Sequence, residues 1–201
     1  MKSPLVSIIM PTYNSESTIE IALNSIKNQS CFELIEILVI DGNSSDRTIE
    51  IAKKYNARIL INEKRLPEFA KLIGLKEAKG RYIIRQDSDE ELTDNNQIQK
   101  RIDYFRKNDE IKAMVCNKFY GVRNRGISAT YSSIYGDPFS AFVYQTKECL
   151  TKSFEKNVVK KELGDIVLKF DSNDNVPIGD SGTTMFDLFW IKENIDNWDT
   201  I

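Results

Sequence analysis

Asp87-Ser88-Asp89 sets two carboxylates two residues apart, directly behind the apolar run that ends at Arg85. On a regular strand both would face one side, because side chains alternate along a strand. Neighbouring carboxylates repel unless a cation or hydrogen-bond donors compensate. Oxygen ligands suit a hard divalent ion such as Mg2+ or Mn2+, which would bridge the pair to a diphosphate. The competing reading is a solvated acidic turn, since Glu90, Glu91 and Asp94 prolong the acidic run. Asp41-Gly42 closes another apolar run. A carboxylate there can accept hydrogen bonds from a nucleobase edge or a ribose, or simply shape the turn before the next helix. Pro11-Thr12-Tyr13-Asn14 closes a third run and offers a ring and an amide to a planar base; otherwise it is a connecting loop. Lys71, with Arg65 nearby in sequence, can meet a diphosphate or lie on a solvated face. The same pair of readings applies to Arg123 and Arg125.

Composition removes several alternatives. The 201 residues contain no histidine, which excludes Ser-His-Asp triads, Cys-His dyads and His-ligated zinc. Acid–base chemistry falls to Asp, Glu, Lys, Tyr or Cys. Lys and Arg number 28 against 30 Asp and Glu, a formal net charge of -2, so nucleic acid is not an expected partner. Cys31, Cys116 and Cys149 are widely spaced and form no CxxC pair, which suits reduced thiols rather than zinc or a disulfide framework. The N-terminus lacks a signal-peptide layout, and no apolar stretch approaches the roughly 20 residues that span a bilayer. A cytoplasmic location is expected, or one at the cytoplasmic face of the membrane, with any membrane association supplied by residues outside this chain. Trp190-Ile191-Lys192-Glu193 reads as the start of an element close to the last residue, Ile201, so a C-terminal truncation is also expected.

The elements that must hold these groups alternate in type. Leu5 to Met10, Ile35 to Ile40, Arg58 to Ile61 and Arg81 to Arg85 read as buried strands. Between them, Ser17-Thr18-Ile19-Glu20 fits a capping box ahead of a helix carrying Ile19, Leu23 and Ile26 on one face. A second helix runs from the Asn43-Ser44-Ser45-Asp46 loop to about Asn56. A third spans Leu66 to Ala78, with Gly80 as its stop. This order specifies an α/β unit with a mostly parallel sheet flanked by helices. Ligands of such sheets bind beyond the carboxyl ends of the strands, so the three polar clusters should converge on one crevice. Further on, Ile98 to Lys107 reads as a helix, Ile111 to Phe119 as a strand, and Glu162 to Phe170 as a strand-containing segment. Phe139 to Lys147 is undecided between strand and helix. A soft boundary near residue 110 separates a nucleotide-type half, 1–110, from an elaborated half, 111–201, within one domain of residues 1–201.

Four stretches resemble, in order, the signatures of the family 2 inverting glycosyltransferases of GT-A fold. Val6 to Asn14 resembles the family's first strand and nucleotide loop. Glu36 to Thr48 resembles its second signature, Asp-Asp or Asp-Gly followed by Ser-x-Asp-x-Thr. Ala70-Lys71-Leu72-Ile73-Gly74-Leu75 through Gly80 resembles its next helix, and Gln86-Asp87-Ser88-Asp89-Glu90 stands where its metal-binding carboxylates lie. The resemblance covers about the first half of the chain. It implies a Rossmann-like nucleotide-binding half, an acceptor-side half, a UDP- or GDP-sugar donor, and Mn2+ or Mg2+ as cofactor. By the same resemblance Pro11, Thr12, Tyr13, Asn14 and Gly42 would line the nucleoside, with Asp41 contacting the base. Lys71, Asp87 and Ser88 would lie near ribose and diphosphate, and Asp89, with Asp87, would hold the metal. The acceptor would be a saccharide or a lipid-linked saccharide in a polysaccharide or glycoconjugate pathway.

Two departures stand out. Lys71-Leu72 replaces the family's frequent Arg-Asn, keeping a charge but not the usual side chain. The Glu-Asp pair that often supplies the base has no clean counterpart. Asp180, in Ile178-Gly179-Asp180-Ser181-Gly182, is the expected base or acceptor ligand, with Asp165 second. The alternatives are a nucleotide-sugar-binding module without full activity and a nucleotidyltransferase. The latter usually carries an early Gly-rich phosphate loop; here residues 11–15 have no glycine, and neither Walker A nor GxGxxG occurs.

Overall fold

The computed structural model describes residues 3–109, 111–114, 120–121, 158–162, 165–168 and 184–194. Strand β1 (Val6–Thr12) leads to α1 (Ile19–Lys27), β2 (Ile35–Asp41), α2 (Thr48–Lys54), β3 (Arg58–Ile61), α3 (Pro67–Glu77) and β4 (Tyr82–Arg85). Then follow β5 (Glu90–Glu91), α4 (Gln97–Lys107), β6 (Ala113–Met114), β7 (Tyr120–Gly121), β8 (Val158–Glu162), β9 (Asp165–Leu168), β10 (Met185–Asp187) and α5 (Leu188–Asn194). Contacts divide the chain into two compact units, Asn124–Ser181, which contains the antiparallel hairpin β8–β9, and the remainder, which contains every other described element.

The larger unit is built on a six-stranded sheet in the order β3-β2-β1-β4-β10-β6. The four leading strands are parallel, and β10 enters antiparallel between β4 and β6. The expected parallel core is present, and its apolar runs are continuous because both faces are covered. Alternation decides which side chain goes where. Val6, Ile8 and Met10 pack with Ile37, Val39, Tyr82 and Ile84 against α1, α2 and α4. Ile9, Leu38, Ile40 and Ile83 point the other way, onto Ala70 of α3 and Leu188 of α5.

Two local expectations need correction, and a third is described only in part. Helix α1 begins at Ile19, with Thr18 rather than Ser17 at the cap position and no side-chain cap bond. The backbone carbonyl of Ser15 does the capping work instead, accepting the N–H groups of Thr18 (3.0 Å) and Ile19 (2.9 Å). Helix α3 ends at Glu77, with Ala78 already extended (φ -65°, ψ 132°), so Gly80 does not stop it. Gly80 is required by close approach: a Cβ there would lie 2.7 Å from the backbone nitrogen of Ser7 and 2.8 Å from the carbonyl carbon of Val6. The strand expected over Ile111 to Phe119 is described only as Ala113–Met114, and residues 115–119 lie outside the described residues. Phe139 to Lys147, Arg123, Arg125, Cys116 and Cys149 also lie outside them. The remaining helices and strands of the first half fall within a few residues of expectation, and α5 accounts for the element foreseen around Trp190.

Candidate functional site

Parallel pairing brings the carboxyl ends of β1, β2, β3 and β4 to one edge of the sheet. The register sets Thr12 directly against Asp41. Thr12 Oγ1 donates to Asp41 Oδ1 at 3.1 Å, and Ser44 donates its hydroxyl to Oδ1 (2.6 Å) and its N–H to Oδ2 (2.7 Å). Asp41 is fully buried, and through these bonds its carboxylate ties the start of the β2–α2 loop to the end of β1. Tyr13 and Asn14 project from the end of β1. Tyr13 is 55% exposed, the largest solvent-facing ring in this loop, and Asn14 sits in the left-handed region at φ 48°. That conformation turns Asn14 toward the neighbouring loop, where its N–H donates to Ser44 Oγ (2.8 Å) and its Oδ1 accepts the N–H of Ser45 (2.9 Å).

The two loops are joined again one residue further on. Ser15 N–H donates to Thr48 Oγ1 (2.7 Å), whose hydroxyl donates to Asp46 Oδ1 (2.5 Å); Glu16 N–H donates to Asp46 Oδ2 (3.0 Å). Desolvation would raise the Asp46 pKa, but these donors and the Thr48 N–H outweigh it and hold the carboxyl below its ordinary value. Asp46 Oδ1 thus also accepts the N–H of Thr48 (3.0 Å), the first residue of α2.

The third loop carries the acidic triplet. Asp87 and Asp89 are exposed and Ser88 is half-buried. Ser88 Oγ donates to Ser15 Oγ at 2.9 Å, which ties this loop to the first. Glu90, read from sequence as one more solvated acid, is instead buried. Its Oε2 accepts the Asp87 N–H (3.1 Å). Burial, and next the charge of Asp87, push its pKa up to about 7. Asp94 keeps the solvated reading and pairs with Lys100 at 2.6 Å. Lys71 is half-buried on α3, and the Arg65 guanidinium lies 5.9 Å from the Tyr13 ring centroid.

Thr12, Asn14, Asp41 and Ser88 thus belong to one hydrogen-bonded set of loops, with Pro11, Tyr13, Gly42, Asp87 and Asp89 on the same segments. Asp165 lies on β9 in the other compact unit, and Asp180 lies outside the described residues. Among the described residues no group of three or more Cys, Asp and Glu is placed to hold a metal ion by itself. The triplet still suits a divalent ion. It presents oxygen donors only, and both aspartates face solvent. An open site of this kind leaves positions for ligand oxygens. Reasoning from sequence missed Ser15, Asn62, Gln86 and the burial of Glu90, whose signals are contacts across loops rather than local patterns.

A family model described as Glycosyl transferase family 2 matches residues 7–177. The chain belongs to glycosyl transferase family 2. Among curated relatives, the Escherichia coli UDP-Glc:alpha-D-GlcNAc-diphosphoundecaprenol beta-1,3-glucosyltransferase WfgD is 38% identical over 112 residues, 54% of this chain and 44% of WfgD. The chain spans less than half the length of the curated relatives it matches. Staphylococcus aureus TarS 1–349 in complex with UDP superposes with a TM-score of 0.63 at 23% identity, over 94% of this chain and 48% of that one. Glucosyl-3-phosphoglycerate synthase from Mycobacterium tuberculosis, in complex with Mn2+, UDP and phosphoglyceric acid, gives 0.55 at 20% identity, over 92% and 56%. These likenesses establish that this family 2 chain has the GT-A fold.

Proposed function

We propose that this chain transfers a sugar from a UDP- or GDP-sugar to an acceptor hydroxyl, with inversion at the anomeric carbon and with Mn2+ or Mg2+ as cofactor. The observation that carries the reading is the bonding of three strand-end loops, Tyr13–Ser15, Gly42–Asp46 and Asp87–Asp89, into one unit beside an open pair of carboxylates. Solved neighbours hold UDP, one of them with Mn2+, which supports a nucleoside diphosphate and a divalent ion for this chain too. WfgD supports a lipid-linked saccharide as one acceptor class.

In this reading Tyr13 stacks on the nucleobase and the loop braced by Asp41 walls the nucleoside. Lys71 and Ser88 face the ribose and diphosphate. Asp89, with Asp87, holds the ion, which when bound supplies positive charge to the departing diphosphate. The acceptor oxygen forms a bond to the anomeric carbon as the bond to the diphosphate oxygen breaks, and the acceptor's proton passes to a carboxylate. Asp180 is the proposed base and Asp165 the second choice. Residues 1–110 would hold the donor, and 111–201 would meet the acceptor. Among the described residues no helix is long and apolar enough to cross a membrane.

The direct test is release of nucleoside diphosphate from UDP-glucose, UDP-N-acetylglucosamine and GDP-mannose with Mn2+. Slow hydrolysis of at least one donor, abolished by chelation, is expected. Tight binding of a donor with no turnover, even with added saccharide acceptors, would instead make the chain a binding module.

A further inference from the structure

We propose that Ser15 is a positioning residue that couples the nucleoside loop to the metal loop. It rests on the donor-site reading above, but the tether itself is a feature of the protein alone. All the polar groups of Ser15 are engaged. Its N–H donates to Thr48 Oγ1 (2.7 Å), and its carbonyl accepts the N–H groups of Thr18 (3.0 Å) and Ile19 (2.9 Å). Its hydroxyl donates to the carbonyl of Tyr13 (3.3 Å) and accepts from Ser88 (2.9 Å), 73 residues away in the chain. The backbone of Ser15 is therefore fixed to the start of α1 and, through Thr48 and Asp46, to the start of α2. Only its hydroxyl reaches across to the acidic loop.

What it holds there is the middle of a repelling pair. Ser88 separates two exposed aspartates, and buried Glu90 lies immediately behind them. Like charges so placed favour a loop that spreads. The Ser88–Ser15 bond opposes that spreading and sets the distance between Tyr13, which would stack on the base, and Asp89, which would ligate the ion. A nucleoside diphosphate bound to both must span that distance. Loss of the tether should therefore weaken binding only when base and ion are engaged together, which is a coupling effect and not a contact effect.

The experiment is calorimetric titration of UDP, with GDP in parallel, with and without Mn2+, into wild type, Ser15→Ala, Ser15→Thr and Ser88→Ala. Amide hydrogen exchange of residues 87–91 is followed in the same nucleotide-free proteins. In Ser15→Ala the affinity without Mn2+ should stay within about twofold, while the enhancement by Mn2+ falls by about three- to tenfold, the scale of one hydrogen bond. Exchange at Asp87 and Glu90 should quicken. Ser88→Ala should reproduce the quickened exchange, and Ser15→Thr, which keeps a hydroxyl, should restore most of both Ser15→Ala effects. Equal losses with and without Mn2+ would make Ser15 a nucleotide contact and overturn the proposal. Unchanged exchange at residues 87–91 in both alanine variants would overturn it independently of any ligand. Wild type that binds neither diphosphate in a Mn2+-dependent way would remove the donor-site reading instead.

Discussion

Asn62 and Gln86 occupy equivalent places in two different loops. Each is the first residue after its strand, β3 or β4, and each is buried. Each donates its side-chain amide to the carbonyl four residues ahead, Asn62 Nδ2 to Leu66 O at 2.9 Å and Gln86 Nε2 to Glu90 O at 3.0 Å. Each is left with a buried amide oxygen that has no hydrogen-bond partner. The same device thus braces the loop that carries Arg65 and the loop that carries the acidic triplet.

The orphaned oxygen makes these braces sensitive to what replaces them. Gln86→Ala removes the brace and opens a cavity, and should cost about 2–4 kcal/mol in urea unfolding. Gln86→Met fills the space and removes the orphan oxygen along with the donor, so its cost should be about 1 kcal/mol. Equal losses for the two variants would show that the amide donor, rather than the filled volume, dominates.

Glu90 predicts a pH dependence of stability. Its folded-state pKa of about 7 stands above the ordinary 4.5, so folding favours the protonated form. The favourable contribution is complete below the unfolded value and is lost as pH rises through the folded value. In chelator at pH 8, Glu90→Gln should be more stable than wild type by about 1–3 kcal/mol, and the difference should vanish near pH 4.5. A difference that does not change between these pH values would contradict the burial of an ionisable Glu90.

Gly74 and Gly80 allow α3 and its exit to lie against β1 in physically different ways. A Cβ on Gly74 would run into Ile9 Cγ2, a side-chain atom, whereas one on Gly80 would meet the backbone of Val6 and Ser7. Gly74→Ala should destabilise by about 1–3 kcal/mol. Combined with Ile9→Ala it should cost clearly less than the sum of the two single changes. Gly80→Ala should be at least as damaging and should gain nothing from Ile9→Ala. Additive behaviour at Gly74 would exclude the close approach to Ile9.

For the transfer step, Asp180→Asn should lower turnover at least about a hundredfold, the usual scale for a general base, with UDP affinity unchanged. Asp165→Asn should be close to wild type. The reverse result would exchange their roles, and activity near wild type in both would remove each from candidacy.

The first half of the fold was legible because its strands are short apolar runs, each closed by a polar cluster, and its helices carry apolar residues at helical spacing. Leu38 and Ile40 face one helix layer while Ile37 and Val39 face the other, and such two-sided burial leaves a continuous run that sequence reading detects. Strand β10 was not legible. Met185–Asp187 is three residues long, and its place between β4 and β6 is decided by partners some 70–100 positions earlier, such as Ile84 and Met114. The same limit hid the Ser15–Ser88 bond. The burial of Glu90 was hidden for a different reason: its neighbours in sequence are acids, but its neighbours in space exclude water. Gly80 shows the converse error, since a glycine after a helix reads as a stop when its real constraint is the adjacent strand.

The most direct test of the donor site is calorimetric titration of UDP and GDP, each with and without Mn2+, into wild type and Asp89→Ala. Binding of one diphosphate that Mn2+ tightens by tenfold or more, with the Mn2+ effect lost in Asp89→Ala and the protein still folded, is the predicted result. Binding that ignores Mn2+, or that survives Asp89→Ala unchanged in its presence, would contradict the assignment of the acidic triplet to the metal and diphosphate.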